Sequence, residues 1–221
     1  MNLKEAKDIT GKLSNPSKMP GYGYSLPAAN CRIGSKLRKV EGSVCSKCYA
    51  LKGRYMFTQV QEALRRRRRS LLDYRWTEAM AVLIDHYCKE VPYFRFHDSG
   101  DIQNINHLDK IVKLVKKLPH IKFWLPTLEI KIIKDYFFGE LPEAVPHNLN
   151  IRLSSAMINQ LPLAHIVEEN GGDEVTTSSV HSDISELPKA ILCPATLDRH
   201  ECEDCRQCWD KSFKHVVYVK H

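Results

Sequence analysis

Seven of the eight cysteines in this chain lie near its two ends, and their spacing is typical of metal ligands. The N-terminal trio consists of Cys31, Cys45 and Cys48, and the C-terminal quartet consists of Cys193, Cys202, Cys205 and Cys208. Cys-x-x-Cys spacing lets thiolates from one short loop converge on a metal ion or an iron–sulfur cluster. The run of three cysteines over 202–208 favours a cluster, because zinc usually takes two cysteines from one such loop.

Each cysteine group suits a cofactor. The N-terminal trio can hold a 4Fe-4S cluster and leave one iron free to bind an amine and a carboxylate, or to act as a Lewis acid. Its alternative is a structural zinc completed by a histidine or by a cysteine from the other end. The C-terminal quartet can close a second cluster by itself, with structural zinc as the alternative. In a third arrangement the two groups share one cluster, so the sequence predicts one cluster or two.

Alternating helices and strands must position these ligands. Prolines and glycines make residues 1–30 a predicted loop. Hydrophobic periodicity predicts helices at 54–74, 76–90, 104–118, 129–138 and 158–169, and strands at 93–97, 121–125, 149–153, 174–178 and 190–193. This alternation indicates parallel βα units, in a partial barrel or an open sheet. We expect one α/β domain over 1–221, a partial parallel βα barrel of about five or six units, with a cysteine-rich loop at 31–48 and tail at 193–209.

Polar side chains follow the predicted strands, where parallel α/β folds place their sites. The densest group is His97-Asp98-Ser99-Gly100-Asp101, directly after a strand. Its glycine permits a tight turn or a close backbone approach to a ligand, and its acids and hydroxyl can hold an amine, a ribose or a metal-bound water. His97, Asp98 and Asp101 are therefore the candidate catalytic residues. The alternative is an ordinary helix N-cap with acids in the first turn.

Two further residues receive structural interpretations. Cys88 stands alone late in a predicted helix, where a cysteine usually acts as a small buried hydrophobe. Arg152 lies near the end of a predicted strand. It could pair with a carboxylate or a phosphate of a ligand, and we expect an ordinary salt bridge.

The net charge of +7 owes much to one run, Arg65 to Arg69. Such a run can bind nucleic acid, although five consecutive helical residues point in all directions and a solvated helix face is the alternative. No segment is apolar for long enough to cross a bilayer, and none has the pattern of a signal peptide, so we expect a cytoplasmic protein with reduced thiols. Walker, Gly-x-Ser-x-Gly and dinucleotide-binding motifs are absent, which argues against a serine hydrolase, a P-loop enzyme and a Rossmann dehydrogenase.

Several of these residues together resemble a family of phage and plasmid gene products. They are the segment Ser25–Ala28, the N-terminal trio with Tyr49-Ala50 after it, Arg95–Asp101, Cys193-Pro194-Ala195 and the closing Cys208-Trp209. The same pattern distantly resembles radical S-adenosylmethionine enzymes, which use a partial βα barrel. That resemblance implies that Cys31, Cys45 and Cys48 ligate a 4Fe-4S cluster whose open iron chelates S-adenosylmethionine. It also implies that Ser99, Gly100 and Asp101 lie near the amine of that ligand.

Three functional hypotheses follow. The first is an iron–sulfur enzyme that cleaves S-adenosylmethionine to a radical and acts on a small-molecule substrate. The second is an iron–sulfur-dependent or iron–sulfur-stabilised hydrolase of ester-type substrates that uses the 97–101 turn. The third is a non-catalytic iron–sulfur protein that binds nucleic acid through Arg65–Arg69.

Overall fold

The computed structural model describes residues 1–137, 139, 144–162, 175–185, 187, 191–199 and 201–220. Its helices are α1 (Leu3–Thr10), α2 (Arg32–Leu37), α3 (Thr58–Ser70), α4 (Trp76–Tyr87), α5 (Ile105–Lys117) and α6 (Ile130–Phe137). Its strands are β1 (Tyr22–Tyr24), β2 (Tyr93–Phe96), β3 (Lys122–Thr127), β4 (Leu149–Ser154), β5 (Val175–His181) and β6 (His215–Val219). Over these residues no helix is both long enough and apolar enough to span a membrane.

The six strands form one sheet in which every neighbouring pair is parallel. Their order in the sheet is their order in the chain, β1 to β6. This confirms the predicted α/β class with a parallel sheet. Because all strands run the same way, their carboxyl ends lie along one edge, and the segments that follow them meet there.

One face of the sheet packs against the helices and forms the main core. Alternate strand residues point to this face, among them Phe96, Phe123 and Ile151, all fully buried. The helices contribute apolar stripes, such as Trp76 on α4 and Leu108 on α5. Cys88, just after α4, is fully buried in the same cluster, which confirms its interpretation as a small hydrophobe.

The opposite face of the sheet, the polar face, carries the intervening residues. Arg95, Trp124 and Asn150 lie side by side across β2, β3 and β4, and Arg152 pairs with Thr176 across β4 and β5. Among the residues that the structure describes, Arg152 forms no salt bridge, contrary to the expectation. It is fully buried, and its guanidinium donates to the backbone carbonyls of residues 177, 207 and 213. The polar face is therefore tied to the C-terminal tail.

The prediction of loop over residues 1–30 is wrong, because this segment contains α1 and β1. Asn2 caps α1 by accepting a hydrogen bond from the Glu5 backbone N–H, and Gly11 ends the helix in the left-handed conformation. Strand β1 has three residues and reaches β2 closely, since a Cβ on Gly21 would clash with the carbonyl oxygen of Tyr93.

Other boundaries also differ from prediction. The helix expected at 54–74 divides into a 3-10 turn at Gly53–Met56 and α3, while those expected at 76–90, 104–118 and 129–138 correspond to α4, α5 and α6. Residues 158–162 are not helical, and the rest of the helix expected at 158–169 lies outside the described residues. In the strand expected at 190–193, whose first residue is not described, Leu192 forms a single bridge to Val217 of β6. Strand β6 itself was not predicted.

Candidate functional site

A long loop at the carboxyl edge of the sheet, the cysteine loop of residues 25–57, carries the N-terminal trio. It leaves the end of β1 and first binds the end of β2: the Leu26 N–H donates to the Ser99 carbonyl at 2.9 Å, and the Ser99 hydroxyl donates to the Leu26 carbonyl at 2.8 Å. Ser99 thus joins two strand ends through both its backbone and its side chain.

The cysteine loop next crosses the ends of β3 and β4. The Ile33 N–H, in the first turn of α2, donates to the carboxylate of Glu129 at 3.0 Å. Farther along, the Val44 N–H donates to the Ala156 carbonyl at 3.0 Å, and the Ile158 N–H donates to the Gly42 carbonyl at 2.9 Å. The loop therefore spans the carboxyl ends of four adjacent strands.

The last part of the cysteine loop returns to β2 through two tyrosines. The Tyr55 hydroxyl donates to the Asp98 carboxylate at 2.7 Å, and the Tyr49 hydroxyl donates to the Asp98 carbonyl. Their rings meet edge to face, with centroids 5.8 Å apart. In this structure Asp98, a predicted catalytic residue, anchors the loop.

The thiols of the N-terminal trio share one partly buried environment. A Cβ built on Gly34 would lie 3.4 Å from the Cys45 sulfur and 3.7 Å from the Cys31 sulfur, so both sulfurs face the same side of α2. Burial, followed by the charges of Asp101 and the other two thiols, raises the pKa of Cys31 to about 12. Burial and the same kinds of neighbour raise the pKa of Cys45 to about 11. Within the described ranges, no three His, Cys, Asp or Glu residues form a group that could hold a single metal ion.

Asp101 lies beside these thiols and is almost fully buried. Its carboxylate accepts from the Thr127 hydroxyl at 2.6 Å, from the Leu128 N–H at 2.9 Å and from the Ile102 N–H at 2.8 Å. Burial raises the pKa of Asp101 to about 7, although these hydrogen bonds favour its charged form. Asp101 therefore joins the ends of β2 and β3 directly beneath the trio.

Gly100 is held where no other residue fits. Its φ is +81°, and an added Cβ would lie 2.6 Å from the Leu26 Cβ and 2.8 Å from the Leu26 carbonyl oxygen. The glycine thus permits the close approach of the cysteine loop to the end of β2. Of the residues that the resemblance implies for ligand binding, Ser99 and Gly100 shape this contact.

His97 lies apart from the other candidate catalytic side chains. It has a φ of +57° and is buried with its ring 5.5 Å from that of His107 on α5 and 6.0 Å from that of Phe96. Both His97 ring nitrogens and Nε2 of His107 are buried without hydrogen-bond partners. Burial lowers the pKa of His97 well below its usual value and that of His107 to about 3, so both rings are neutral.

The C-terminal quartet gathers against the polar face. Cys208 is buried, its sulfur lies 3.2 Å from the Tyr218 hydroxyl, and its carbonyl accepts from Asn150 at 2.9 Å. Burial, followed by the charges of Cys193 and Cys205, raises the pKa of Cys202 to about 11. The Cys202 N–H donates to the Lys18 carbonyl, in the segment before β1. The four thiols therefore share a second environment.

Arg95 and Trp124 lie on the polar face between the two cysteine groups. The Arg95 guanidinium stacks over the Trp124 ring at 4.3 Å. It interacts electrostatically with Tyr49 and Asp98 of the first site and with Cys208 and Tyr218 of the second. Sequence reasoning missed this pair, although Arg95 alternates with two buried phenylalanines and so had to face the other side of the sheet.

The arginine run does not present five equivalent cations. Arg67 is buried, donates to the Lys12 carbonyl at 2.8 Å and lies over the Tyr24 ring, while the other four are exposed. Arg66 and Arg69 line a cleft with the carboxylates of α1. The prediction that a helical run cannot form one flat stripe is confirmed.

Together the fold and site define an α/β protein with a parallel sheet, a cysteine loop over its carboxyl edge and a second cysteine group on its polar face. Residues 1–211 match the model of the Gene product 88 family, so the chain belongs to that family. No curated protein and no solved structure matches the chain.

Proposed function

We propose that this protein is an iron–sulfur enzyme in which Cys31, Cys45 and Cys48 hold a 4Fe-4S cluster at the carboxyl edge of a partial βα barrel. With three thiolate ligands, such a cluster offers one iron to a further ligand and can pass electrons to it. We further propose that this ligand is S-adenosylmethionine, as in the radical enzymes that the sequence resembles. The sequential order of six parallel strands is compatible with that type of barrel.

One observation carries the proposal: at the ends of three neighbouring strands, the Cys31 thiol lies near enough to interact electrostatically with the other two thiols and with the buried carboxyl groups of Asp101 and Glu129. Burial and mutual repulsion raise the pKa of Cys31 and of Cys45 and hold these two thiols in the neutral form. A bound metal cluster reverses that preference, because it stabilises thiolates and neutralises nearby negative charge. The donor set thus fits iron, for which thiolate is a preferred ligand.

The protein's own residues would then orient the site. Glu129 fixes the start of α2 and so the position of Cys31. Tyr49 and Tyr55 fix the segment after Cys48 through their bonds to Asp98. Asp101 keeps the ends of β2 and β3 together, which makes it a positioning residue in this scheme.

The C-terminal quartet is proposed as a second metal centre, either a cluster or a structural zinc. Its four thiols lie near one another and near the cationic Arg95 and Arg152. Since the tail packs against buried groups of the polar face, this centre would stabilise the closing segment of the chain.

Anaerobic purification with assays of iron, sulfide and zinc tests the proposal. We expect iron and sulfide in equal amounts, a broad visible absorption band, and calorimetric binding of S-adenosylmethionine that disappears in a Cys48→Ala variant. A Cys88→Ala variant, which removes a buried thiol outside both groups, is the matched control and should keep all three properties. Zinc without sulfide in the wild-type protein would refute the iron–sulfur proposal. A full cluster without binding would refute only the ligand.

The hydrolytic alternative has less support. It needs His97, Asp98 and Asp101 to face a common space, whereas the His97 ring packs in the core and both carboxylates bind structural donors. Nor does the arginine run support the third hypothesis as stated, because Arg67 is committed to the core.

A further inference from the structure

The charge of this chain is concentrated around the cysteine loop. The cysteine loop, residues 25–57, holds seven of the 33 Lys and Arg residues and one of the 26 Asp and Glu residues. It therefore carries +6, and the other 188 residues together carry +1. The asymmetry places a local positive field at the carboxyl edge of the sheet, beside the candidate site.

Six of the seven cations of the cysteine loop are exposed. They are Arg32, Lys36, Lys39, Lys47, Lys52 and Arg54, whereas Arg38 is partly buried. In the described part of the chain, none of them lies within 4 Å of a carboxylate oxygen. Cations that serve stability usually gain a partner or a buried stem, so an unpaired group of six at one edge is suited to an anionic ligand.

A pocket within this basic edge is lined in part by Ser46 and Lys47, the two residues between Cys45 and Cys48. It has a volume of about 460 Å³ and lies between the cysteine loop and the residues that follow β4 and β6. Arg38, Lys39, Lys47 and Lys220 line it, with Glu41 as the single carboxylate. The Nε of Arg38 is buried and has no hydrogen-bond partner. Four cations around a small cavity match a phosphate group.

Large apolar side chains are exposed among these cations. Tyr49, Met56 and Phe57 are 59%, 56% and 58% exposed. The Tyr49 hydroxyl is bound to the Asp98 carbonyl, so its ring has a fixed position although it faces solvent. Cations alone can bind any polyanion, but exposed rings among the cations, one of them fixed, favour unpaired bases, which stack on aromatic faces. A duplex conceals the faces of its bases.

We infer that the basic aromatic edge of residues 32–57 binds single-stranded nucleic acid, with a phosphate in the pocket lined by Arg38, Lys39, Lys47 and Lys220. The site is distinct from the arginine run, whose Arg66 and Arg69 face the carboxylates of α1. If the enzyme proposed above acts on the bound nucleic acid, that role as substrate rests on the proposed function. The candidate cluster would then lie beside the bound strand, within the same loop.

Fluorescence anisotropy tests this inference with a short labelled single-stranded DNA or RNA, its duplex and inorganic polyphosphate, over a series of salt concentrations. We expect one or both single strands to bind more tightly than the duplex and polyphosphate. A Lys39→Gln/Lys47→Gln variant should reduce the slope of log affinity against log salt by about 1.4, since each phosphate contact on a single strand contributes about 0.7. Phe57→Ala should weaken binding about tenfold and leave the slope unchanged.

The matched control is Arg66→Gln/Arg69→Gln, which removes two exposed cations away from the pocket and should change the slope little. Equal losses in the two double variants, tighter binding of duplex, or polyphosphate affinity equal to that of the single strands would each overturn the inference. Iron and sulfide are measured on the same samples. If protein without iron and sulfide binds the single strand, the inference stands and the proposed function fails. If protein with a full cluster does not bind the strand, the inference fails and the proposed function stands.

Discussion

The two cysteine groups occupy opposite kinds of environment. The C-terminal tail is part of the interior: Cys208 and Trp209 are buried, and buried Asn150 and Arg152 bind its backbone. The N-terminal trio lies in a loop with exposed rings and cations around it, tied to the sheet at separate points by hydrogen bonds. The same residue type is therefore packed into the fold in one place and lies in an exposed loop in the other.

This difference suggests a division of roles. Buried tail residues such as Cys208 and Trp209 contribute to the folding free energy, whereas a loop at the edge of the sheet stays open to solvent. The Arg95–Trp124 stack lies between them and contacts both electrostatically. The comparison predicts that substitutions in the tail change stability most and that substitutions in the cysteine loop change ligand content most.

The largest expected effect is on the tail. Trp209 is 4% exposed, its indole donates to the Phe94 carbonyl at 2.9 Å and it packs edge to face on Trp124. Trp209→Ala should lower the free energy of unfolding by about 3–5 kcal/mol, measured by urea denaturation. Phe57→Ala, at a ring 58% exposed in the cysteine loop, should change it by less than about 0.5 kcal/mol. Equal losses would remove the distinction between the two regions.

The next effect tests how firmly the cysteine loop is tied to the sheet. Gly100→Ala adds a Cβ within 2.8 Å of the Leu26 carbonyl oxygen at a φ of +81°, so we expect a loss of at least about 2 kcal/mol and reduced iron content. Gly53→Ala is the control: its φ is +51°, but an added Cβ would meet nothing within 4 Å. The excess loss at Gly100 measures the clash alone. Identical losses would mean that the loop moves freely away from β2.

Acid should act on the core beneath the cysteine loop. The folded-state pKa of His107, about 3, is below the unfolded value of about 6.5, so the unfolded chain binds more protons between these values. The stability that neutral His107 contributes is complete above about pH 6.5 and decreases by about 1.4 kcal/mol per pH unit below it. His97, with a lowered pKa, adds a second such decrease.

The His107→Gln variant isolates this effect, since glutamine does not titrate. Urea denaturation at several pH values gives the free energy of unfolding as a function of pH. Below about pH 6.5 the slope for the variant should be smaller than that of the wild-type protein by about 1.4 kcal/mol per pH unit, which corresponds to one proton, and above this pH the two slopes should agree. An unchanged slope at low pH would show that the ring is protonated in the folded protein.

Much of the fold could be predicted because it depends on local pattern. The periodic segments after residue 90 gave most strands and helices to within a few residues. Helix α1 could also have been predicted, since Asn2, Glu5 and Gly11 are usual signals of helix ends. The prolines that follow the helix favoured a loop instead. Strand β1 could not be predicted, because three residues are too few to show the alternation of buried and exposed side chains. The strand is defined by its pairing with β2.

The candidate site was predictable in its cysteines but not in their supports. Spacing alone singled out the cysteines as candidate ligands, because residues of one loop are near in sequence. The bond between Val44 and Ala156 joins residues far apart in the chain and leaves no local signal. The side-chain direction of His97 depends on a positive φ, which a histidine seldom adopts and its residue type does not signal. Positions that depend on long-range contacts required the structure.

The smallest expected effect on stability is also the sharpest test of the comparison. Cys48 and Cys205 are both partly exposed, so replacing either by alanine should change the free energy of unfolding of the metal-free chain by less than about 1 kcal/mol. If the two groups are separate centres, Cys48→Ala loses only the N-terminal metal, Cys205→Ala loses only the C-terminal metal, and the losses add in the double variant. Metal and sulfide assays on the three proteins measure this. A single substitution that removed all the metal would show one shared cluster, and the division between an accessible centre and a buried one would no longer describe the molecule.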